Sequence, residues 1–564
     1  MKYPLWQSRN AITTETKSVE EYLLLQRNIH SSADISQFFS DSIQSIQGPA
    51  SLKGALEAAG KIVQAMKRND PIAIYGDYDV DGVTALTILY EIFQNLGYEK
   101  IIPYLPHRES EGYGLNAEAL HKLAKQGVKM VITVDCGINA NHEAKVASEL
   151  GLELIITDHH HVPANLPDVS EIINPKQPGC PSAFKELAGA GVAWKLGWAL
   201  LAISGKDGSS TEMPAFSREQ LDLLAIATVA DIVPLLGENR IIVKHGLAQI
   251  KKNSRPGIKA LLDVSGTAPE SVNEDSIGFR IGPRINASGR LDYAYTSFEL
   301  LTATSQEKAD ELARKLDDYN KERQALTQKC LAEAMDQIDK DNLSKVIMVK
   351  HPEWPSGIIG LLASKICDQY HRPAIAMSLT KEQWRGSARS YDFFHITNAL
   401  TETAEHLVRF GGHATAAGFS VTPEKITSFE EQLLSLATNQ IEAEMLTPTL
   451  FYDMPLNAPQ LNWNTHKVIE KFSPFGFQNT RPLIMSDHLE LFDIKIIGKQ
   501  KNHVRYKFLS DKSIIDGIAF NFTDHIDPTL HIGDPVEVAY HLESNEWNGY
   551  KNLQMNIVDL RKKQ

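Results

Sequence analysis

Five short apolar runs, PIAIYG (71–76), KIIPYLP (100–106), VKMVITVD (128–135), LELIITD (152–158) and SEIINP (170–175), succeed one another with helical stretches between them. Runs so short and so continuously apolar read as strands covered on both faces, and their alternation with helices makes the sheet mostly parallel. A sixth run, LDLLAIATVAD (221–231), belongs to the series but is helical in texture. In an open sheet of this kind, ligands bind in the crevice beyond the carboxyl ends of the strands.

Four of these runs end on acids or imidazoles. The first leads to Asp77, Asp79 and Asp81, the third to Asp135 before Cys136-Gly137, the fourth to Asp158, His159, His160 and His161, and the sixth to Asp231. Three carboxylates on alternate residues repel one another, and a divalent metal is the cheapest counter-charge. Any one of these acids would serve as an ordinary helix N-cap. Four segments delivering acids or imidazoles to one sheet edge is a different matter. A mixed carboxylate and imidazole set suits Mn²⁺ or Mg²⁺, with the histidine favouring manganese. The ligands exceed the needs of one ion and fit a pair about 3.5–4 Å apart. The reaction class implied is hydrolysis of a phosphate ester or phosphoanhydride. No GxSxG comes after a strand and no GxxxxGK[ST] is present, so serine hydrolase and P-loop chemistry are not indicated.

At 564 residues the chain exceeds a single core, and roughly three to four domains are expected. The first 50 residues read as a polar helical segment, with QFFSDSIQSI docking on the body. AGAGVAWKLGWAL (188–200) is a glycine-rich turn entering a helix, suited equally to packing or to substrate contact. RIGPRINASGR (280–290) sets Arg280, Arg284 and Arg290 among small residues, and a shaped loop gripping phosphates is expected there. Residues 303–339 predict one long polar helix connecting two lobes.

The second lobe begins with strand KVIMVK (345–350). Ser356-Gly357 then opens a helix whose free N–H groups suit an anion. Strands at 372–379 and 382–390 and a helix at 394–407 lead to GGHATAAGFSV (411–421), where His413 joins Arg385, Ser387 and Arg389 as a phosphate site. Beyond about residue 450, five short alternating segments with Asn548-Gly549 as a hairpin turn fit a small barrel such as an OB-fold. Of its aromatics (Phe492, Tyr506, Phe508, Phe520, Phe522, Trp547, Tyr550) most read as core, and a minority would stack bases beside Lys495, Lys499, Lys501, Arg505 and Lys507. The four cysteines are scattered without a CxxC pair. With neither a secretory pattern nor a membrane-length apolar run, a cytoplasmic protein is expected. A net charge of −13 argues against a wholly basic coat for nucleic acid but leaves room for a local cationic groove.

As a set, DYDVDG, VDCG, the DHH at 158–160, ADIVPL and the downstream GGH resemble the DHH phosphoesterase superfamily. HRESEGYG (107–114), PRINASGR (283–290), WPSGIIGLLASKI (354–366), RGSARS (385–390) and the terminal barrel resemble its bacterial branch of single-stranded-DNA-specific 5′→3′ exonucleases. The resemblance covers residue 50 or so to the end. It implies two divalent ions, Mn²⁺ or Mg²⁺, held by Asp77, Asp79, Asp81, Asp135, His159 and Asp231, with Asp135 as the bridge. It implies that Asp158 orients the neighbouring histidines, that His160 meets the scissile phosphate, and that these residues together are catalytic. Arg108, Arg284, Arg290, Ser356, Ser387, Arg389 and His413 match positions that contact strand phosphates, including the 5′ end. Tyr75 stands where pyrophosphatase-like relatives place a histidine, which favours the nuclease branch.

The expected architecture is therefore α/β: an N-terminal helical segment (1–50), a mostly parallel-sheet DHH catalytic lobe (51–290), a connector helix (291–342), a smaller α/β DHH-associated lobe (343–450) and an OB-like β-barrel (451–564). The expected activity is removal of mononucleotides from single-stranded DNA in recombination and repair, by a monomer with no membrane association. A single strand with a 5′ end is the expected partner, with a single-strand-binding protein and a helicase as candidates. Two other readings compete: a phosphodiesterase of short or cyclic oligonucleotides, which usually lacks the barrel, and a non-enzymatic DNA-binding scaffold, which the intact acids oppose.

Overall fold

The structure, a computed structural model, describes residues 2–9, 18–108, 111–112, 114–252, 255–291, 294–510, 513–547 and 550–563. Strand β1 (Leu5–Ser8) opens the chain. The apolar runs then form β2 (Ile72–Gly76), β3 (Ile101–Tyr104), β4 (Met130–Val134), β5 (Glu153–Thr157) and β6 (Glu171–Ile173), an all-parallel sheet in the order β3-β2-β4-β5-β6. Every residue of β2 and β4 is buried, because alternate side chains enter two separate cores. Ile72, Ile74, Met130 and Ile132 pack with the helices Val80–Asn95 and Gly189–Ile203. Ala73, Tyr75 and Val131 pack with the helices Ala117–Lys125 and Asn141–Glu149 on the other face. The chain leaves β2 for β3 on one side and returns to β4 on the other. The strand order thus reverses between β2 and β4, where a crevice opens in sheets of this type.

The second lobe holds β7 (Ile347–His351), β8 (Ala374–Thr380), β9 (Gln383–Arg389), β10 (Leu407–Gly412) and β11 (Ala416–Val421), in the order β10-β11-β9-β8-β7 with only β7 and β8 parallel. GGH therefore sits in a β-hairpin rather than at the end of a helix. The helix before it is shorter than expected, at Ile396–Glu402. After β12 (Thr449–Tyr452) and β13 (Met454–Pro455) comes the barrel of β14 (Ile484–Ile497), β15 (His503–Ser510), β16 (Ser513–Ala519), β17 (Pro535–Trp547) and β18 (Tyr550–Lys562). Pairing of β14 with β17 closes it, and β16 and β18 run parallel, an OB-like arrangement. Tyr506, Phe508 and Phe522 fill its core, while Phe492 and Phe520 are exposed. The Trp547 and Tyr550 side chains and the Asn548-Gly549 turn lie outside the described residues.

The connector is the helix Gln306–Met335, about 45 Å long. It is not polar all round, as its sequence suggested: Ala309, Leu312, Ala313, Leu316, Cys330 and Ala334 are buried along it. RIGPRINASGR is also not a loop. It straddles a π-turn (Ile277–Ile281) and the helix Gly282–Leu291. Pro283 falls just past that widened turn, where its missing N–H is tolerated.

The first 50 residues are not purely helical either. β1 pairs in parallel with β12, and buried Asp559 accepts hydrogen bonds from Lys2 N, Tyr3 N (both 3.0 Å) and Trp6 Nε1 (3.1 Å). Phe38 and Phe39 pack on Phe472, and Arg240 donates to the carbonyls of Phe38, Lys471 and Phe472. The segment is a strap joining the barrel to the first lobe. Asp559→Ala, which orphans three donors, is expected to cost on the order of 3 kcal/mol. Urea unfolding checks the size of the loss, and hydrogen exchange at residues 2–8 should accelerate.

Candidate metal centre

β2 ends at Gly76 and the chain turns at once into the helix Val80–Asn95. Asp79 caps that helix, accepting from Gly82 N at 3.0 Å. A side chain at Gly82 would sit 2.5 Å from Asp77 O, so only glycine lets the three acids fold back on one point. Asp81, in the first turn, meets a second helix end on: it accepts from Gly189 N (2.6 Å) and Ala190 N (2.8 Å). AGAGVAWKLGWAL therefore supplies a helix N-terminus to an acid of the centre. Its first glycine is also required there, since a Cβ on Gly189 would lie 2.5 Å from Asp135 Oδ1.

Asp135 comes after β4 with φ 60°, a conformation that costs a non-glycine residue energy and turns its carboxylate into the crevice. After β5, Asp158 accepts from the backbone N–H of Ile138 (2.9 Å), His159 (2.7 Å) and His160 (3.1 Å), and from His160 Nδ1 at 2.7 Å. It thereby fixes the His160 ring and the backbone at His159. His159 Nε2 stands 3.2 Å from Asp135 Oδ1, 3.5 Å from Asp231 Oδ2 and 3.9 Å from Asp81 Oδ2. Asp231 reaches this point from the C-cap of the helix Leu221–Ala230. The sixth run is thus not a strand, and only its carboxylate joins the sheet edge.

Three sets of side chains gather with ligand atoms within 4.8 Å of one another: Asp77, Asp79 and Asp135; Asp81, His159 and Asp231; Asp135, His159 and His160. Asp135 belongs to two of them. Asp77 Oδ1, Asp135 Oδ1 and His159 Nε2 are buried with no hydrogen-bond partner among the described residues. Such atoms are costly to bury unsatisfied, and divalent ions are the partner that fits oxygen and imidazole nitrogen together.

The electrostatics agree. Burial, then the Asp79 charge, raises Asp77 well above the usual carboxylate range and Asp81 to about 7. Burial and neighbouring acids, Asp81 foremost, also push Asp135 and Asp231 well up. Burial, then His160, pushes His159 down to about 3, leaving a neutral ligand nitrogen. Burial opposes the Asp158 charge, but His160, His159 and the Ile138 N–H outweigh it and hold that carboxyl low. Burial likewise opposes a proton on His160, but the hydrogen bond to Asp158 prevails and raises it.

Without metal, the four raised acids bind protons in the folded state that the unfolded chain has released. The chelated protein is therefore expected to lose stability as pH climbs from about 4 through about 7. Lowered His159 acts in the opposite sense, as lowered Asp158 does at the acid end, while raised His160 adds to the four acids. The Tm gap between Mn²⁺-loaded and chelated protein should widen from pH 5 to pH 8, which thermal melts in each buffer will read.

Arg108 lies over the Tyr78 ring (5.0 Å), and its charge is felt by Asp77. Arg290 Nη1 donates to Gly357 O in the second lobe at 2.8 Å. Half-buried Ser356 precedes Gly357 in the turn leading to the helix Ile359–Tyr370. Beside that helix start, Ser387 Oγ and Arg389 Nη2 come within 3.1 and 3.3 Å of where a Gly360 Cβ would stand. His413 is exposed and feels the charges of His160, His161 and Lys176 opposite. Arg284, by contrast, is engaged by Asp317 of the connector (2.8 Å).

The rest of PRINASGR supports the acid loop. Asn286 Oδ1 accepts from Val80 N at 3.1 Å, and a side chain at Gly289 would strike Tyr78 O. Tyr75 is a packing residue, stacked on Tyr104 and donating to Gly114 O. Sequence reasoning missed Asn286 and Lys176. Of these, only Lys176 carried a signal, since it comes after the strand end at β6 as the acids come after theirs.

Three family models match the chain: the DHH family N-terminal domain over residues 71–228, the DHHA1 domain over 343–439, and the RecJ OB domain over 452–559. The single-stranded-DNA-specific exonuclease RecJ of Bacillus subtilis is 36% identical over 566 residues, covering 98% of this chain and 70% of that protein. Its counterpart in Escherichia coli is 33% identical over 523 residues, 90% of each. Among solved structures, RecJ in complex with Mn²⁺ from Thermus thermophilus superposes with a TM-score of 0.80 at 27% identity, covering 97% of this chain and 76% of that one. The Mg²⁺ complex from the same organism gives 0.74.

Proposed function

The chain belongs to the RecJ family of single-stranded-DNA-specific exonucleases, and from that premise we propose which of its residues carry the reaction. The protein is a metal-dependent hydrolase of single-stranded DNA, working with Mn²⁺ or Mg²⁺ in the manner of its family. Asp77, Asp79 and Asp135 would hold one ion, and Asp81, Asp135, His159 and Asp231 the other. Bound there, such cations would supply a more acidic water and neutralise charge on the phosphoryl group. The observation that carries this reading is the set of buried, unpartnered ligand atoms on Asp77, Asp135 and His159 at the switch point of the sheet.

The protein's own groups do the remainder. Asp158 fixes the His160 ring and favours its protonated form, so that the imidazolium donates to an oxygen of the scissile phosphate. The start of the helix Ile359–Tyr370, with Ser356, Ser387, Arg389, Arg290 and Arg108, receives the phosphate of the 5′-terminal nucleotide. His413 closes the cleft from the second lobe. A terminal phosphate seated there sets the next phosphodiester at the metal centre, so mononucleotides leave from the 5′ end. The barrel holds the remaining strand through Lys495, Arg505 and Lys507 and through the exposed Phe492 and Phe520.

The working division is an N-terminal strap (1–50), a catalytic lobe (51–290), a connector (291–342), a second lobe (343–450) and a barrel (451–564). A monomer acting in the cytoplasm beside a helicase and a single-strand-binding protein suits a nuclease confined to unwound DNA. The test is digestion of 5′- and 3′-labelled single strands with Mn²⁺, Mg²⁺ or chelator. The 5′ label should appear at once as mononucleotide, the 3′-labelled strand should shorten progressively, and chelator should stop both. Release of the 3′ label first would refute the polarity.

A further inference from the structure

The connector helix carries an arginine that neither the metal centre nor any motif accounts for. Asn320 and Thr327, flanking Arg323 on one side of the helix Gln306–Met335, are 3% and 4% exposed, so this row of side chains turns inward. Arg323 Nη2 donates to Asn320 Oδ1 at 2.8 Å, which fixes the guanidinium. Its Nε is buried and, among the described residues, has no partner. Further along the helix, Leu326, Cys330 and Ala334 pack with Trp354, Ile358, Ile359 and Leu362. Arg323 therefore stands just ahead of the contact between the connector and the start of the helix Ile359–Tyr370. Here Arg290 reaches Gly357 O, and Ser387 and Arg389 approach Gly360. Arg290 feels Arg108 and Arg323 as like charges, and Arg389 also feels Arg108. Guanidiniums drawn from both lobes and the connector repel one another until an anion sits among them.

We infer that Arg323 is a binding residue for the terminal phosphate, so that the connector itself takes part in reading the 5′ end of the strand. The inference rests on the proposed seating of the 5′-terminal phosphate between the lobes. A terminal phosphate monoester carries about −1.5 to −2 charges at pH 7, against one on an internal diester. An added guanidinium therefore favours a phosphorylated end over the body of the strand. A guanidinium held by Asn320 through Nη2, with its buried Nε still to be paired, is suited to donate to the extra oxygen.

The test is fluorescence anisotropy in chelator, with one single-stranded oligonucleotide carrying either a 5′-phosphate or a 5′-hydroxyl. The parent protein should prefer the phosphorylated strand. Arg323→Gln should lower affinity for that strand by about ten-fold and leave the 5′-hydroxyl strand unchanged. Arg323→Lys should recover part of the loss, and Asn320→Ala, which frees the guanidinium, should show a smaller loss of the same kind. Should the parent prefer the phosphate and Arg323→Gln keep that preference, the inference is overturned while the end-phosphate reading stands. Equal loss on both strands would likewise overturn it, marking Arg323 as a general or structural contact. A parent that does not distinguish the strands would remove the end-phosphate reading and this inference together.

Discussion

Asp135→Ala is expected to lower single-strand cleavage by on the order of 1,000-fold or more while leaving affinity for single-stranded DNA nearly unchanged. Asp135 is shared by two ligand sets and sits 3.2 Å from His159 Nε2, so its loss opens both ion positions at once. The strand contacts proposed above do not include Asp135, so binding is expected to survive. The same substitution carries a second signature. In chelator Asp135 is one of several buried acids crowded together, and removing it relieves that repulsion. The chelated variant should melt no lower than the chelated parent, yet gain little from added Mn²⁺. Single-turnover cleavage, strand-binding titration and paired thermal melts measure the three effects.

Gly189→Ala is the more surprising case, because it adds one methyl group and removes no polar atom. That methyl would stand 2.5 Å from Asp135 Oδ1 and 2.6 Å from Asp135 Cβ. Either the Asp135 side chain or the helix start that holds Asp81 must give way. A displacement of about 1 Å at a reacting centre costs about 100-fold, and a loss of that size is expected here, together with weaker Mn²⁺ binding. Gly191→Ala is the control. There an added Cβ meets only Leu187 side-chain atoms, at 3.3 Å or more. Circular dichroism should show both variants folded, and a Gly189→Ala protein with full activity would mean that Asp135 is not held as described.

Much of this centre is legible in the sequence, for a reason particular to parallel sheets. All strands point the same way, so residues at the ends of separate apolar runs, such as Asp77, Asp135 and His159, meet on one edge. Asp231 arrives on a helix rather than a strand, so its place in the series is legible from its acid and its motif, not from strand direction. PRINASGR misleads because Gly and Pro usually mark loops, whereas here they fall beside a π-turn. Its Asn286 and Gly289 brace the acid loop across about 200 residues of chain, a relation no local pattern encodes. The strap is hidden for the same reason, since β1 finds its partner at Thr449–Tyr452. Arg323 is one basic residue in a helix full of them. Only the burial of Asn320 and Thr327 tells which way it faces.

The central claim is that acids and an imidazole from distant segments cage two cations at the switch point of one sheet. Anomalous diffraction from crystals of the protein grown with Mn²⁺ tests it directly. Two manganese peaks about 4 Å apart are predicted, one among Asp77, Asp79 and Asp135 and the other among Asp81, Asp135, His159 and Asp231. A single peak, or peaks placed away from Asp135, would contradict the account.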